Sequence, residues 1–319
     1  MPLLGGASYN FVFGYNLGLS VRLQQIHALV TISETGSIRA AARKLGISQP
    51  ALSKSILQLE DEFSVAVVQR TPRGVNLTPY GRAMLVRARS IAADMERMRE
   101  EIEQMRGTLE GVVSIATAPS PAALLLPEAL KRFRSQMPNI QVRVRESVYP
   151  ETLRLLREGV VDIAMSAQPQ PRASGGAEFR SDRLYGNALT IACRYDHPKA
   201  NARSLVELLD CDWLLHGPAD GPGTLFAPVF RANGLAPPVP KIQSDSFTAS
   251  IHLIEHSDVM CVQPERLIRH LERERRVRAL RLSEAMPSWD VYLVTRAGTP
   301  LTPAAQALAT CLRRTPPKA

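Results

Sequence analysis

The sequence predicts an α+β multi-domain protein, and three observations support this fold class. Residues 21–79 contain two short helix patterns joined by a tight turn, followed by two strand-like runs. Residues 80–109 form one long amphipathic helix pattern, and residues 110–319 alternate strands with helices. A chain of 319 residues is long enough for two or three such domains.

Residues 1–20 differ from the rest of the chain because they contain no charged residue but several glycines and aromatic residues. They therefore do not resemble a signal peptide with a basic head. We expect a disordered or non-native N-terminal extension. Either translation of the natural protein starts at Val21, since an internal GTG codon reads as valine, or these residues form a flexible arm.

The two short helices have clear boundary signals. Ser37 and Ser48 are good N-cap residues, Gly46 suits the end of the first helix, and Pro50 fits the first turn of the second. The spacing of apolar residues predicts that the buried face of the pair consists of Leu45, Ile47, Leu52, Ile56 and Leu59. These signals predict a helix-turn-helix.

The exposed face of the second helix carries small polar side chains that suit the DNA major groove. Gln49 can bridge adenine and Ala51 can touch a thymine methyl group, whereas Ser53 and Lys54 can hold phosphates. The alternative is an ordinary helical hairpin with a solvated face. The predicted DNA-contacting residues are Ser37, Arg39, Ser48, Gln49, Pro50, Ala51, Ser53, Lys54, Arg70 and Arg73.

Two apolar runs flank a turn at Pro72-Arg73-Gly74 and predict a small β-hairpin after the second helix. Arg70 and Arg73 could reach the DNA backbone or a narrow minor groove from this hairpin. The alternative for either arginine is a solvated surface turn. The hairpin completes a winged helix-turn-helix.

The motif order E-x-G-S, A-A, L-x-x-S-Q-P-A-x-S, I-x-x-L-E and R-x-x-R-G-V-x-L-T-x-x-G resembles that of the LysR-type transcriptional regulators. The resemblance extends from Val21 to about the C-terminus. The chain departs from the family at Phe63-Ser64, where Leu-Gly is usual, and at Val68-Gln69, where Leu-Phe is common. Ser64 lacks the free access of glycine to positive φ, so the entry to the wing is expected to differ.

The resemblance implies that residues 110–319 form a two-lobed, periplasmic-binding-protein-like effector domain. Lobe I would comprise about 110–184 and 287–319, and lobe II about 185–286. The pattern of strands alternating with helices predicts mainly parallel sheets. The helix pattern at 122–136 and the strand pattern at 291–294 belong to lobe I, the latter as a return from lobe II.

The charge distribution favours a nucleic-acid partner. The chain has a formal charge of +9, and residues 21–89 contain ten Lys or Arg against four Asp or Glu, or +6 in all. Four cysteines without C-x-x-C spacing indicate buried reduced thiols, and no apolar run reaches the length of a membrane span. We therefore expect a cytoplasmic protein without membrane contact, catalytic residues, cofactor or metal.

The linker helix 80–109 has apolar residues in alternating steps of four and three, with Arg97 among the flanking charges. The positions are Met84, Ala88, Ile91, Met95, Met98, Ile102, Met105 and Leu109. The pattern predicts either a dimer seam or a helix packed on its own domain. The resemblance implies the dimer and a tetramer of two dimers on two-fold operators in double-stranded DNA, with half-sites about 10 base pairs apart. RNA polymerase is a further expected partner.

Hydroxyl groups near helix starts predict the effector site, because free amides there attract a carboxylate or sulfonate. Phe247 could flank an apolar ligand body and His216 could donate a hydrogen bond. The alternatives are plain N-caps and a structural histidine. The predicted effector-contacting residues are Ser120, Pro121, Tyr149, Ser246, Phe247 and His216.

The expected function is a DNA-binding regulator that senses a small organic acid. His256-Ser257-Asp258, where many members of the family have Gly-x-Gly, resembles the subgroup that senses aromatic sulfonates, carboxylates or tricarboxylates. A constitutive regulator, a solute receptor and an enzyme are the alternatives, but the motifs of common enzymes are missing. His252 and His256 have helical spacing without an evident third metal ligand.

Overall fold

The computed structural model describes residues 20–71, 74–107, 110–168, 178–217, 224 and 226–317. These residues form two compact units, one within 1–92 and the other within 93–319. Apart from Ser20, the predicted N-terminal extension lies outside the described residues. None of the described helices is long and apolar enough to span a bilayer.

The first unit is a helix-turn-helix followed by an antiparallel hairpin. Its elements are α1 (Leu23–Thr35), α2 (Ile38–Leu45), α3 (Gln49–Phe63), β1 (Val68–Thr71), β2 (Gly74–Leu77) and the start of α4 (Pro79–Met105). Ser37 and Ser48 cap their helices by accepting from the third amide of each, as predicted. Gly46 ends α2 at a φ of 67°.

The core of the first unit confirms three of the five apolar positions predicted for the buried face. Leu52, Ile56 and Leu59 of α3 are buried. Leu45 is half-buried. The prediction for Ile47 is wrong, because 44% of this residue is exposed. Ile47 lies in the turn between the helices, where helical periodicity does not determine the direction of a side chain.

The second unit contains two five-stranded sheets. The first has the order β4 (Ile140–Glu146), β3 (Gly111–Thr117), β5 (Ile163–Ala167), β12 (Val291–Arg296), β6 (Phe179–Tyr185). The second has the order β11 (Val277–Ala279), β7 (Leu189–Arg194), β10 (Val259–Pro264), β8 (Asp212–His216), β9 (Ile242–Ser244). The helices described in this unit are α5 (Pro119–Leu124), α6 (Leu126–Gln136), α7 (Glu151–Arg157), α8 (Phe226–Ala232), α9 (Phe247–His256), α10 (Glu265–Glu272) and α11 (Pro303–Arg314), with a 3₁₀ helix at Leu205–Leu208.

Both sheets are mixed, so the prediction of mainly parallel sheets is wrong. Each sheet contains two parallel and two antiparallel strand pairs. The antiparallel pairs involve β6, β7, β11 and β12, which lead into or out of the two passages between the sheets. An antiparallel strand can pair with its neighbour without a crossover helix. A parallel strand would require such a helix.

The helix predicted over 122–136 is two helices. Leu125 leaves the helical conformation at φ −126° and ψ −45°, and Pro127 follows two residues later. Proline has no amide hydrogen for the i−4 carbonyl, and its ring clashes with that turn. The break separates α5 from α6.

The chain passes between the two sheets twice, and the two passages pair with each other. The amide of Leu189 donates to the Pro287 carbonyl at 3.0 Å, and that of Trp289 donates to the Asn187 carbonyl at 3.2 Å. The second passage confirms that 291–294 returns to the first sheet. These paired segments bring residues from both sheets to one cavity.

Candidate nucleic-acid interface and ligand cavity

The N-terminal part of α3 presents the side chains predicted to contact DNA. Gln49, Pro50, Ala51 and Lys54 are exposed, while Ser53 is half-buried. An exposed amide, a methyl group and an ammonium on one short surface can together read bases and hold a phosphate.

Three other predicted residues have structural roles or lie beside the helix. The Ser37 and Ser48 hydroxyls accept from Ala40 and Ala51 amides at 3.4 and 3.3 Å. The two serines therefore stabilise the starts of α2 and α3 whether or not DNA is bound. Arg39 is exposed on α2.

The hairpin is attached to the turn that precedes α2. The Val75 amide donates to the Gly36 carbonyl at 2.9 Å. Gly74 has a φ of 131°, and a Cβ there would lie 2.6 Å from the Gly36 oxygen, so glycine is required. Arg70 belongs to β1, and the prediction for Arg73 lies outside the described residues.

Sequence reasoning gave no role to three residues that hold the hairpin against α3 and α4. One Glu60 carboxylate oxygen accepts from the amides of Val67 and Val68 at 2.7 and 3.1 Å. The Thr78 hydroxyl donates to the Ala66 carbonyl and accepts from the Gly81 amide. A Cβ on Gly81 would overlap the Val67 carbonyl oxygen. The motifs L-E and L-T-x-x-G were the available signal.

Helix α4 exposes an apolar stripe along the predicted seam. Ile91, Met98, Ile102 and Met105 are 45%, 49%, 51% and 76% exposed. Ala88, predicted for the same seam, is instead buried in the core of the first unit. The prediction for Leu109 lies outside the described residues.

Arg97 of α4 is held by lobe I rather than lying free on the helix flank. Its Nε donates to Asp162 Oδ1 at 2.6 Å, and both side chains are 13% exposed. Its guanidinium also donates to the Gly159 carbonyl at 2.9 Å. The interaction ties the second half of α4 to the strand start at β5.

The cavity between the two sheets contains two of the six residues predicted for effector binding. Ser120 and His216 line it, whereas Pro121, Tyr149, Ser246 and Phe247 do not. The empty space is about 570 Å³, including part that is open to solvent. The described lining residues are apolar apart from Ser120, Asn187, His216 and Gln263, and include Ala118, Pro119, Val148, Ala167, Leu189, Val262, Pro264 and Trp289.

Ser120 belongs to a buried hydrogen-bonded group at one wall of the cavity. Its hydroxyl lies 3.3 Å from the Tyr185 hydroxyl and donates to Asn187 Oδ1 at 3.4 Å. Burial raises the pKa of Tyr185 to about 12, so its hydroxyl keeps its proton at neutral pH. Pro119 and Pro121 flank Ser120 and have no amide hydrogens, which reduces the capacity of this helix start to hold an anion.

His216 also lines the cavity and lies beside Ser250. The Ser250 hydroxyl donates to the Ser246 carbonyl at 2.9 Å and lies 3.1 Å from His216 Nδ1, an arrangement that suits a proton on Nδ1. Burial lowers the pKa of His216, which keeps the imidazole neutral. Nε2 then offers a lone pair, and it has no hydrogen-bond partner among the described residues. With the proton on Nδ1, Nε2 would act as an acceptor, whereas the sequence predicted a donor role for His216.

Two family matches identify this architecture. Residues 23–82 match the family described as "Bacterial regulatory helix-turn-helix protein, lysR family", and residues 106–316 match "LysR substrate binding domain". The chain belongs to the LysR family. It is therefore a DNA-binding transcriptional regulator with an effector-binding domain, in a family of regulators rather than enzymes.

The LysR assignment agrees with curated relatives along most of the chain. The HTH-type transcriptional regulator GalR of Pseudomonas putida is 27% identical over 91% of this chain and 73% of its own length. The SDS degradation transcriptional activation protein of a Pseudomonas species is 28% identical over 92% of this chain and 98% of its own.

A solved structure supports the fold. Full-length CbnR complexed with its target DNA matches with a TM-score of 0.63 and 20% identity, over 92% of this chain and 99% of that one.

Proposed function

We propose that this LysR regulator reads operator DNA with the N-terminal part of α3. The observation that supports the proposal most directly is the exposure of Gln49 and Ala51 in a module that concentrates positive charge. Lys54 and the arginines of the hairpin would hold phosphates. Because the chromosome is its partner, we expect the protein to act in the cytoplasm.

The test uses the DNA directly upstream of its own gene and a random duplex of equal length. Gln49→Ala should reduce the affinity ratio between the two DNAs about tenfold, since one bidentate base contact is worth about 1–3 kcal/mol of discrimination. Gln58→Ala, an exposed glutamine farther along α3, should leave the ratio unchanged. Equal ratios for the parent and Gln49→Ala would reject the reading role.

Lys54 gives a second, separable readout. Lys54→Ala should weaken binding to both duplexes alike and reduce the slope of log affinity against log salt by about one unit. The two outcomes distinguish a base contact from a phosphate contact.

We infer that the apolar stripe of α4 is the dimer contact. Four exposed apolar side chains in a heptad pattern on one helix suit a partner helix of the same kind. Dimers would pair into a tetramer, and an activating form would contact RNA polymerase. Met98→Glu with Ile102→Glu should halve the mass measured by light scattering, whereas Arg99→Gln on the neighbouring face should not. An unchanged mass would reject the seam.

The cavity favours an uncharged effector over the organic acid expected from the sequence. None of the lining residues that the structure describes is Lys or Arg, and burial of a carboxylate without a counter-charge costs several kcal/mol. A mainly apolar compound with a hydroxyl or N–H group would fill the cavity and donate to His216 Nε2. Ser120 and Gln263 would orient the rest of it.

Matched pairs of compounds test this effector class. Thermal shifts should be larger for an aromatic alcohol or amide than for the corresponding carboxylate or sulfonate. His216→Phe should abolish the shift, while His27→Ala should not. Stronger shifts with the acids would support the aromatic or tricarboxylic acid subgroup, and no shift with any compound would support a constitutive regulator.

A further inference from the structure

In the C-terminal part of α9, the carboxylate of Glu255 lies beside the histidine pair and is a third possible metal ligand, which the sequence analysis did not identify. His252, Glu255 and His256 place one donor atom each within 4.8 Å of the others. His252 Nδ1 lies 3.4 Å from Glu255 Oε2. The two imidazole rings are parallel, with an interplanar angle of 3° and centroids 6.2 Å apart.

These distances suit a transition-metal ion. With ligands about 2.1 Å from a tetrahedral Zn²⁺, donor atoms lie about 3.4 Å apart, which matches the His252–Glu255 pair. The other two separations involve His256, whose exposed side chain has room to rotate towards a bound ion. Two imidazoles and one carboxylate are the ligand types that Zn²⁺, Ni²⁺ and Cu²⁺ accept.

The surroundings hold the helix and the carboxylate in place. Ile251 and Ile254 of the same helix are buried against the second sheet, so the histidine-bearing side faces outward on a fixed element. Arg276 donates to both Glu255 oxygens at 3.0 Å. These two bonds orient the carboxylate and lower the pKa of Glu255, and each oxygen keeps a second lone pair for a metal.

We propose that His252, Glu255 and His256 bind one divalent transition-metal ion, with water completing its coordination. The site lies on lobe II, and none of its three residues lines the cavity described above. It replaces the expectation, drawn from the sequence alone, that the protein has no metal site.

The test is a Zn²⁺ titration of the untagged full-length protein against a chromophoric chelator. The parent should bind one equivalent, and His252→Ala and His256→Ala should each weaken binding at least tenfold. His27→Ala, an exposed histidine on α1, is the matched control and should bind as the parent does. Unchanged affinity in both α9 variants would overturn the proposal.

Co²⁺ provides a readout on the unaltered protein. A d–d absorption spectrum without a thiolate charge-transfer band should appear at one equivalent, since the proposed ligands contain no sulfur. A thiolate band would assign the ion to cysteines instead and would overturn the site. This measurement does not depend on how any variant folds.

Discussion

The DNA-facing surface of the first unit and the cavity of the second are built in opposite ways. Gln49, Ala51 and Lys54 lie within two turns of one helix and are exposed. The cavity instead draws Ser120, Asn187 and Gln263 from segments far apart in the chain, and each is at most 2% exposed.

In the first unit, the side chains that face DNA contribute little to stability. In the second unit, the polar side chains of the cavity also stabilise the fold. An exposed side chain of α3 can change without loss of a packing contact or a buried hydrogen bond. A polar residue of the cavity has already formed internal hydrogen bonds, so its substitution leaves a buried partner unsatisfied. We therefore expect specificity to change more easily at the DNA face than at the cavity.

The largest loss of stability in the first unit is expected from a substitution at Gly81, which lies away from the DNA face. Gly81→Ala should destabilise the hairpin by about 3 kcal/mol, because its methyl group would overlap the Val67 carbonyl. Hydrogen exchange should show lost protection at 67–77. Ala83→Ser, exposed in the same helix, should change protection little. Native protection in Gly81→Ala would contradict the close approach.

The second effect compares the two sites directly. Ser120→Ala should cost about 1–2 kcal/mol, because the buried Tyr185 hydroxyl loses a partner. Both tryptophans, Trp213 and Trp289, belong to the second unit, so their fluorescence during urea unfolding reports this loss. Gln49→Ala should alter stability by less than about 0.5 kcal/mol, measured by hydrogen exchange in the first unit. A larger loss of stability in Gln49→Ala than in Ser120→Ala would contradict the expected difference between the two sites.

A smaller, stabilising effect is expected at the end of α3. Ser64 adopts φ 53° and ψ 34°, a left-handed conformation that costs a residue with a Cβ about 1–2 kcal/mol. Ser64→Gly should therefore stabilise the first unit by about 1 kcal/mol, which hydrogen exchange can measure. Ser64→Ala retains the Cβ and should give no gain. A gain with alanine would show that the hydroxyl, and not the backbone, is responsible.

The smallest effect concerns pH and His216. Burial lowers the pKa of His216 below its usual 6.5, so the unfolded chain takes up a proton before the folded chain does. The second unit should lose stability as pH falls through 6.5 towards that lower folded value. Urea midpoints at about pH 7.5 and 5.5 should differ more in the parent than in His216→Gln. Equal differences would mean that His216 does not titrate differently on folding.

Sequence patterns predicted the first unit well because its signals are local. The caps at Ser37 and Ser48, the left-handed Gly46 and the hairpin all depend on neighbours within a few residues. Ile47 failed because a turn residue follows no helical period. At Ser64, the sequence shows a serine in place of the usual glycine. Only the structure shows that this serine adopts a left-handed conformation.

In the second unit, residue type alone did not predict which of the candidate residues line the cavity. Tyr149, Ser246 and Phe247 are plausible ligand contacts by chemistry, yet they lie outside the cavity lining. Asn187 and Gln263 line the cavity without any local motif to mark them. Their contribution depends on two passages between sheets that bring distant strands together.

The family, the helix-turn-helix with its caps and the spacing of the α4 stripe were all predictable from the sequence. Only the folded chain shows which candidates share a cavity, that His216 lies beside Ser250, and that Arg276 holds the Glu255 carboxylate next to the histidine pair. Helical period and capping act within one or two turns, so they can be read along the chain. Cavity lining, tautomer and burial depend on contacts between residues far apart in sequence, which only the folded chain specifies.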